Sequence, residues 1–384
     1  MSAPPAVRFG TRTPSGWVLG RIAGSPVVLA PSWLLVAAFL TVIFLPTVRA
    51  GAPGLGTVAT VAAAAGFPLL LALSVLLHEL GHGLTALRLG IPVTEYVITL
   101  WGGHTQFDRE LRSPGTSALV SVAGPAVNAV LAAVSWWAAG AADGVVALLL
   151  GASAIANGFV AAFNLLPGLP LDGGRVLEAA VWRATGDRVR GTLAAGWVGR
   201  LLAVGVVVVG LGGPFLQGSR PTVVTAITVA LVGAFLWTGA SQTIRAATAK
   251  RAAEGIDLLA LAGPAVAVPV ESTLAGLDAA VPTGVAVVLV TADGRPVALV
   301  DPGAAASVPT PLRAGTGLAA VATPLAPATI VTDLRGVAAV RAMGAAQHAG
   351  PAAVLVDATR RPPRVLGVVL VARVAEALTR SGRP

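Results

Sequence analysis

Residues 67–89 read FPLLLALSVLLHELGHGLTALRL, an apolar run with Leu77-His78-Glu79-Leu80-Gly81-His82 in its second half. As a helix, a run of this length crosses a hydrocarbon core of about 30 Å. At 3.6 residues per turn His78 and His82 share one face, with Glu79 beside them. Ionisable side chains inside a span are costly, and they are rare there unless they bind something or move protons. Two imidazoles one turn apart, with a glutamate directly after the first, form a pattern that can hold zinc and set a general base beside its water. The bland alternative is that the histidines only pack and hydrogen-bond within a helix bundle.

The rest of the chain suits a polytopic α-helical membrane protein. Of 384 residues 55% are hydrophobic and 11% charged, against roughly 25% charged in soluble domains. Six runs reach spanning length: Pro31–Val48, Phe67–Leu89, Ser117–Gly140, Gly144–Leu166, Leu193–Gly213 and Thr222–Ile244, with Thr57–Ala65 apolar enough to extend the second. If the N-terminus is cytoplasmic, the inner loops receive Arg88, Arg109, Arg112, Arg175, Arg183, Arg188, Arg190, Arg245, Lys250 and Arg251, and the outer loops only Arg49 and Arg220. That asymmetry predicts six spans with both termini in the cytoplasm. Arg8, Arg12 and Arg21 precede the first span, but no small-residue cleavage site follows it, so no removable signal peptide is expected. The net charge of +9 sits at span ends and not in an aromatic-interleaved patch, which argues against a nucleic-acid partner. Lys250 as the sole lysine, among abundant Ala, Gly and Val, suggests a GC-rich genome and a bacterial plasma membrane.

With no cysteine, a transition-metal site must draw on four histidines and the carboxylates. A tetrahedral catalytic zinc takes three protein ligands and keeps its fourth position for water. Asp172, in Asn164-Leu165-Leu166-Pro167-Gly168-Leu169-Pro170-Leu171-Asp172-Gly173-Gly174-Arg175, is the best third ligand. It follows the fourth span on the same side as His82, the prolines break the helix, and Gly173 and Gly174 permit tight turns. Alone, Asp-Gly-Gly would read as an ordinary turn. Trp17–Leu29 reads as short strands at the membrane surface, and Val93–Leu100 with Gly102-Gly103 and His104–Phe107 as a hairpin. His104 could approach the zinc or polarise a scissile carbonyl, or simply line a substrate or a turn.

HELGH in one span and NLLPGLPLDGGR after a later one resemble the site-2 protease family of intramembrane zinc metalloproteases (peptidase family M50). Ala123-Gly124-Pro125-Ala126-Val127-Asn128 is similar to that family's GPxxN element, and the resemblance covers about Trp17 to Ile244. It implies one zinc per chain held by His78, His82 and Asp172, Glu79 as general base and acid, and Asn164 at the substrate or developing oxyanion. Asn128 and Asn157 would line the site or knit the core, with Asn128 and His104 as further candidate substrate contacts. Substrates would be membrane proteins, such as anti-sigma factors or remnant signal peptides, extended along the Val93–Phe107 hairpin by strand addition.

Three regions follow: a cytoplasmic N-terminal segment (1–30), a transmembrane metalloprotease core (31–250) and a small α/β cytoplasmic domain (251–384). Val285–Val290 with Pro296–Val300 and Ala353–Val356 with Val365–Val369 read as two copies of a hairpin, the second preceded by a helix over Val331–Met343 and followed by another over Val371–Arg380. This resembles a pair of CBS repeats, which implies regulation or a homodimer contact. The Ser/Thr-Asp pair that holds ribose in nucleotide-binding repeats is missing after both copies, which weakens an adenine nucleotide as ligand. A different reading of the whole is a CBS-regulated ion transporter or channel that uses the intramembrane His and Asp, and a third is an inactive binding member of the family.

Overall fold

The computed structural model describes residues 12–13, 16–100, 102–282 and 284–381 and divides into two compact units, 1–245 and 246–384. Part of the expected N-terminal segment, residues 1–11, lies outside the described residues.

In the first unit, strands β1 (Arg12–Thr13), β2 (Gly16–Ile22) and β3 (Ser25–Leu29) precede two helices, α1 (Trp33–Gly51) and α2 (Thr57–Arg88). The chain then forms β4 (Val93–Thr99) and β5 (Gly102–Phe107), which complete one sheet in the order β1-β2-β3-β4-β5. β3 and β4 run parallel, with Val27 opposite Tyr96, so the whole α1–α2 excursion is their crossover. β4 and β5 form the expected hairpin, and Gly102 supplies the positive φ (112°) at its turn. Helices α3 (Pro114–Gly140), α4 (Gly144–Asn164), α5 (Asp172–Thr185), α6 (Arg188–Leu216) and α7 (Val223–Glu254) follow.

Six of these helices, all but α5, are long and apolar enough to cross a membrane, as the hydropathy pattern predicts. Their outward faces carry large apolar side chains, among them Leu35, Phe39, Leu69, Trp136, Trp137 and Val209, each more than 60% exposed. In water such a belt would be an association hazard; against acyl chains it costs nothing. α2 begins at Thr57, so its 32 residues include the expected Thr57–Ala65 extension, and α7, also 32 residues, runs ten past the expected Ile244 to Glu254.

α5 corrects one expectation. Gly173 and Gly174 are not in a tight turn but in the first turn of a helix that begins at Asp172. Their lack of a side chain answers to packing: a Cβ on Gly173 would lie 2.3 Å from the Leu165 carbonyl oxygen, and one on Gly174 2.2 Å from the Leu169 nitrogen. The 165–171 loop thus folds directly against the helix start. α5 ends at Gly186 in the left-handed region, and Gly191 of α6 packs against the Glu178 carbonyl oxygen.

The second unit repeats one order of elements. After α8 (Leu258–Leu261) come β6 (Ala265–Pro269), α9 (Leu274–Ala280), β7 (Ala286–Val290), β8 (Pro296–Val300) and α10 (Pro302–Ser307), with β9 (Ala322–Pro324) closing a sheet β6-β7-β8-β9. Then β10 (Ile330–Val331), α11 (Gly336–Ala346), β11 (Ala352–Asp357), β12 (Arg364–Leu370) and α12 (Val371–Ser381) form a sheet β10-β11-β12. In each half the first strand pairs parallel with the second and the second antiparallel with the third. The helix before the second hairpin starts at Gly336, not Val331: Val331 belongs to β10 and is 1% exposed in the core.

Candidate metal centre

His78, Glu79 and His82 are all buried on α2, at 8%, 6% and 8% exposure. His78 Nδ1 meets Asn128 Oδ1 of α3, and His82 Nδ1 lies 2.7 Å from the Val120 carbonyl oxygen. Both acceptors are oxygens, so both imidazoles carry their proton on Nδ1 and turn a lone pair on Nε2 inward. Those two Nε2 atoms are 3.1 Å apart, and Asp172 Oδ2 stands 3.2 Å from one and 3.4 Å from the other. Zinc–ligand bonds of about 2.0–2.2 Å in tetrahedral arrangement separate the ligands by roughly 3.3–3.5 Å. The triangle, at 3.1–3.4 Å, is at or just under that spacing, so the three atoms are placed to hold a cation between them. Among the described residues this is the cluster that fits a metal.

Each ligand is held from behind. Asn128 is 2% exposed and spends its amide on Asn157 Oδ1 at 2.6 Å; Asn157 in turn donates to Ser74 Oγ at 2.9 Å and to the Ser153 carbonyl at 2.9 Å. This buried chain ties α2, α3 and α4 together. Both ends of Asn128 are therefore used within the protein, which makes it an orienting partner of His78, and it also lines the cavity at the cluster. Asp172 is the first residue of α5.

α5 is itself braced. Arg188 at the start of α6 donates from Nε to Glu178 Oε1 (2.9 Å) and from Nη1 to Glu110 Oε2 (3.2 Å) and the Leu111 carbonyl (3.3 Å). Its guanidinium also lies 5.3 Å from the Trp182 ring.

The general-base candidate has a partner that the sequence reading missed. Thr105 Oγ1 on β5 donates to Glu79 Oε2 at 2.7 Å and lies 3.1 Å from the Glu79 carbonyl. Gly103 faces the same side chain, since a Cβ there would stand 2.6 Å from Glu79 Cγ. Strand alternation could have found both: with Gly103 toward α2, Thr105 must follow it. By the same alternation the His104 side chain points away from Glu79 and is exposed, 3.4 Å from Gln106 Nε2; residue 104 borders the cavity described below but does not join the ligand cluster. Gly124 was quoted only as part of a motif. A Cβ there would meet His82 Nε2 at 2.4 Å and His78 Nε2 at 2.7 Å, so α3 reaches the ligands only because this residue has no side chain.

A cavity of about 660 Å³ opens onto the cluster, lined by His104, Thr105, Asn164 and Arg175 besides the ligands and by apolar side chains of α1, α2 and α4. Asn164, the last residue of α4, lines this space, and its carboxamide makes no side-chain hydrogen bond among the described residues. His348 lies in the second unit, exposed, with Nδ1 3.0 Å from the Gly344 carbonyl.

Residues 66–147 and 138–209 match the profile of peptidase family M50. A Synechocystis sp. protein named as a zinc metalloprotease is 33% identical over 253 residues, covering 62% of this chain and 62% of that protein. A Mycobacterium tuberculosis protein named as a zinc metalloprotease, Rip3, is 34% identical over 249 residues, 58% of this chain and 57% of that protein. This chain thus spans about three fifths of the length of these curated relatives. A solved site-2 protease from Methanocaldococcus jannaschii aligns over 59% of this chain and 94% of its own at 24% identity and a TM-score of 0.40, a likeness too distant to say more. Over residues 66–209, then, this chain is similar in sequence to peptidase family M50.

Proposed function

We propose that the protein is an intramembrane zinc metalloprotease that hydrolyses peptide bonds in or beside transmembrane segments of other proteins. The observation that carries this reading is the convergence of His78 Nε2, His82 Nε2 and Asp172 Oδ2 within 3.4 Å, buried in a helix of spanning length and directly beside Glu79. A bound zinc would supply Lewis-acid polarisation of a carbonyl and a water acidified to near neutral pH. Glu79 takes a proton at its carboxylate as attack begins and returns it to the departing amine. Thr105 fixes the Glu79 carboxylate through Oε2 so that it faces the site in one rotamer. Asn164 offers a carboxamide to the substrate or to the oxygen that becomes negative.

A helical substrate hides its carbonyls in its own hydrogen bonds, so it must be extended first. Tyr96–Leu100 cannot receive it by strand addition, because β4 is paired on both sides. The open edge belongs to β5, whose far side has no partner among the described residues and whose Gly103 and Thr105 face Glu79. We assign substrate extension to that edge. Anti-sigma factors and remnant signal peptides remain the proposed substrate classes, and the bacterial plasma membrane with cytoplasmic termini the proposed location. For the second unit we propose a CBS-like regulatory or homodimerising role. An adenine nucleotide is not favoured there, because Asp301, directly after β8, spends its carboxylate capping α10 through the Gly303 nitrogen at 2.8 Å.

The test is cleavage of a single-pass model substrate in detergent with zinc present. Wild type should cleave, Glu79→Gln should bind zinc and not cleave, and Asp172→Ala should lose both. Equal cleavage by wild type and Glu79→Gln would sink the mechanism, and no cleavage by any of them would favour the transporter reading.

A further inference from the structure

Arg200 lies well inside α6, the one arginine that the loop count leaves within a span. Its guanidinium carbon sits 4.7 Å from the Trp197 ring and 5.1 Å from the Trp237 ring of α7, and its Nε donates to Ser241 Oγ at 3.1 Å. Among the described residues Ser241 is its only polar partner; no carboxylate neutralises it and both terminal nitrogens are unused. Neither indole N–H has a partner among the described residues, and Trp197 and Trp237 are 55% and 46% exposed on the apolar outer surface. Arg245, one turn beyond Ser241 and also exposed, pairs with no acid there either.

Depth follows from helix length. α6 has 29 residues, about 43 Å at 1.5 Å per residue, whereas the hydrocarbon core takes roughly 20. Counting back from Leu216, the inner boundary falls near Trp197; counting forward from Val223 on α7, it falls near Ser241. Arg200 is therefore about one turn inside the boundary, on the side that the arginine asymmetry makes cytoplasmic, where a guanidinium reaches the headgroup layer. An uncompensated cation at that depth, with a planar fork of free donors between two rings, suits a phosphate.

We propose that Arg200, Trp197, Trp237 and Ser241 form a binding site for the phosphate of an anionic phospholipid in the cytoplasmic leaflet. Ser241 holds Nε, the indoles hold the guanidinium plane, and the two terminal nitrogens take the phosphate oxygens. The absence of a nearby carboxylate and the second cation, Arg245, favour an anionic headgroup over a zwitterionic one, whose ammonium has no acidic partner in the site.

The full-length protein in detergent would be titrated with phosphatidylglycerol or phosphatidylcholine and lipid-bound species counted by native mass spectrometry. One charge near the surface corresponds to a preference of about fivefold for the first phosphatidylglycerol. Arg200→Gln should bring that preference close to one and Arg200→Lys should keep part of it. Arg220→Gln, at the opposite end of the span, should leave it unchanged. Should Arg200→Gln fail to fold, Trp237→Leu keeps the charge, removes one wall and should lower the preference. Equal binding of both lipids by wild type, an unchanged preference in Arg200→Gln or, where that does not fold, in Trp237→Leu, or loss of phosphatidylglycerol to millimolar inorganic phosphate would overturn the proposal.

Discussion

At the scale of single residues, the centre depends as much on what is missing as on what is present. Gly124 leaves the space in which both Nε2 atoms converge, and a methyl group there would stand 2.4 Å from one of them. Gly124→Ala should therefore lose zinc while keeping its helix content; metal analysis beside circular dichroism checks this, and full zinc occupancy would contradict the packing argument. Asn128→Ala frees the His78 ring and should weaken zinc binding by about 10–100-fold, since partners behind the ligands typically carry that much. It also strands the Asn157 carbonyl oxygen in a buried place, at a cost of about 1–3 kcal/mol in stability. Thr105→Val should lower kcat more than KM and leave zinc content intact, whereas Thr105→Ser should restore most of the activity. That His78, His82 and Asp172 would converge, with Glu79 beside them, was legible in the sequence because each belongs to a short pattern whose chemistry needs that residue type. Thr105 and the role of Gly124 were not, because their meaning lies in which neighbour they face, and that is set by pairing β4 with β5 and packing α3 on α2.

At the scale of elements, α5 was the misjudged one. Fourteen residues with Arg175 and Arg183 do not read as a span, and Asp-Gly-Gly reads as a turn; only the packing of the 165–171 loop shows why glycine is needed inside a helix start. The helix is positioned by Arg188 on Glu178, which is 6% exposed at its side chain. Removing Arg188 alone leaves a buried carboxylate without its partner, so Arg188→Ala should destabilise the fold by roughly 3–5 kcal/mol. Arg188→Gln with Glu178→Gln should recover part of that loss, measured as unfolding midpoint in detergent. In the second unit Arg313 donates to both oxygens of Asp278 at 2.6 Å and holds that carboxyl below its usual range. Its folded pKa is depressed, so the stability that it adds is present above the unfolded value of about 3.9 and is lost as pH falls through the folded value. Hydrogen exchange in α9 should accordingly quicken as pH drops below about 4, after correction for intrinsic exchange rates, and Asp278→Asn should flatten that component.

At the scale of the molecule, the six apolar helices followed from hydropathy alone, because a spanning run leaves a mark on composition that needs no tertiary detail, and the later α/β unit followed from its Val-rich hairpins. The pairing of β3 with β4 across the α1–α2 excursion was not legible, since parallel partners lie 69 positions apart and nothing local records the register. The whole assembly should answer to its ion: a strong chelator should abolish cleavage and lower the unfolding midpoint, and added zinc should restore both. A midpoint unmoved by chelation would mean that the ligands are held by the hydrogen-bonded scaffold without help.

The ligand triangle also has a history in time. Asp172 leaves the ribosome ninety positions after His82, and at 5–20 residues per second that is a delay of roughly 5 to 20 s. Through that interval the nascent chain holds two inward-facing imidazoles without their carboxylate, so metal capture must wait for α5 to dock. Insertion, and not the supply of zinc, would then set when the centre first closes.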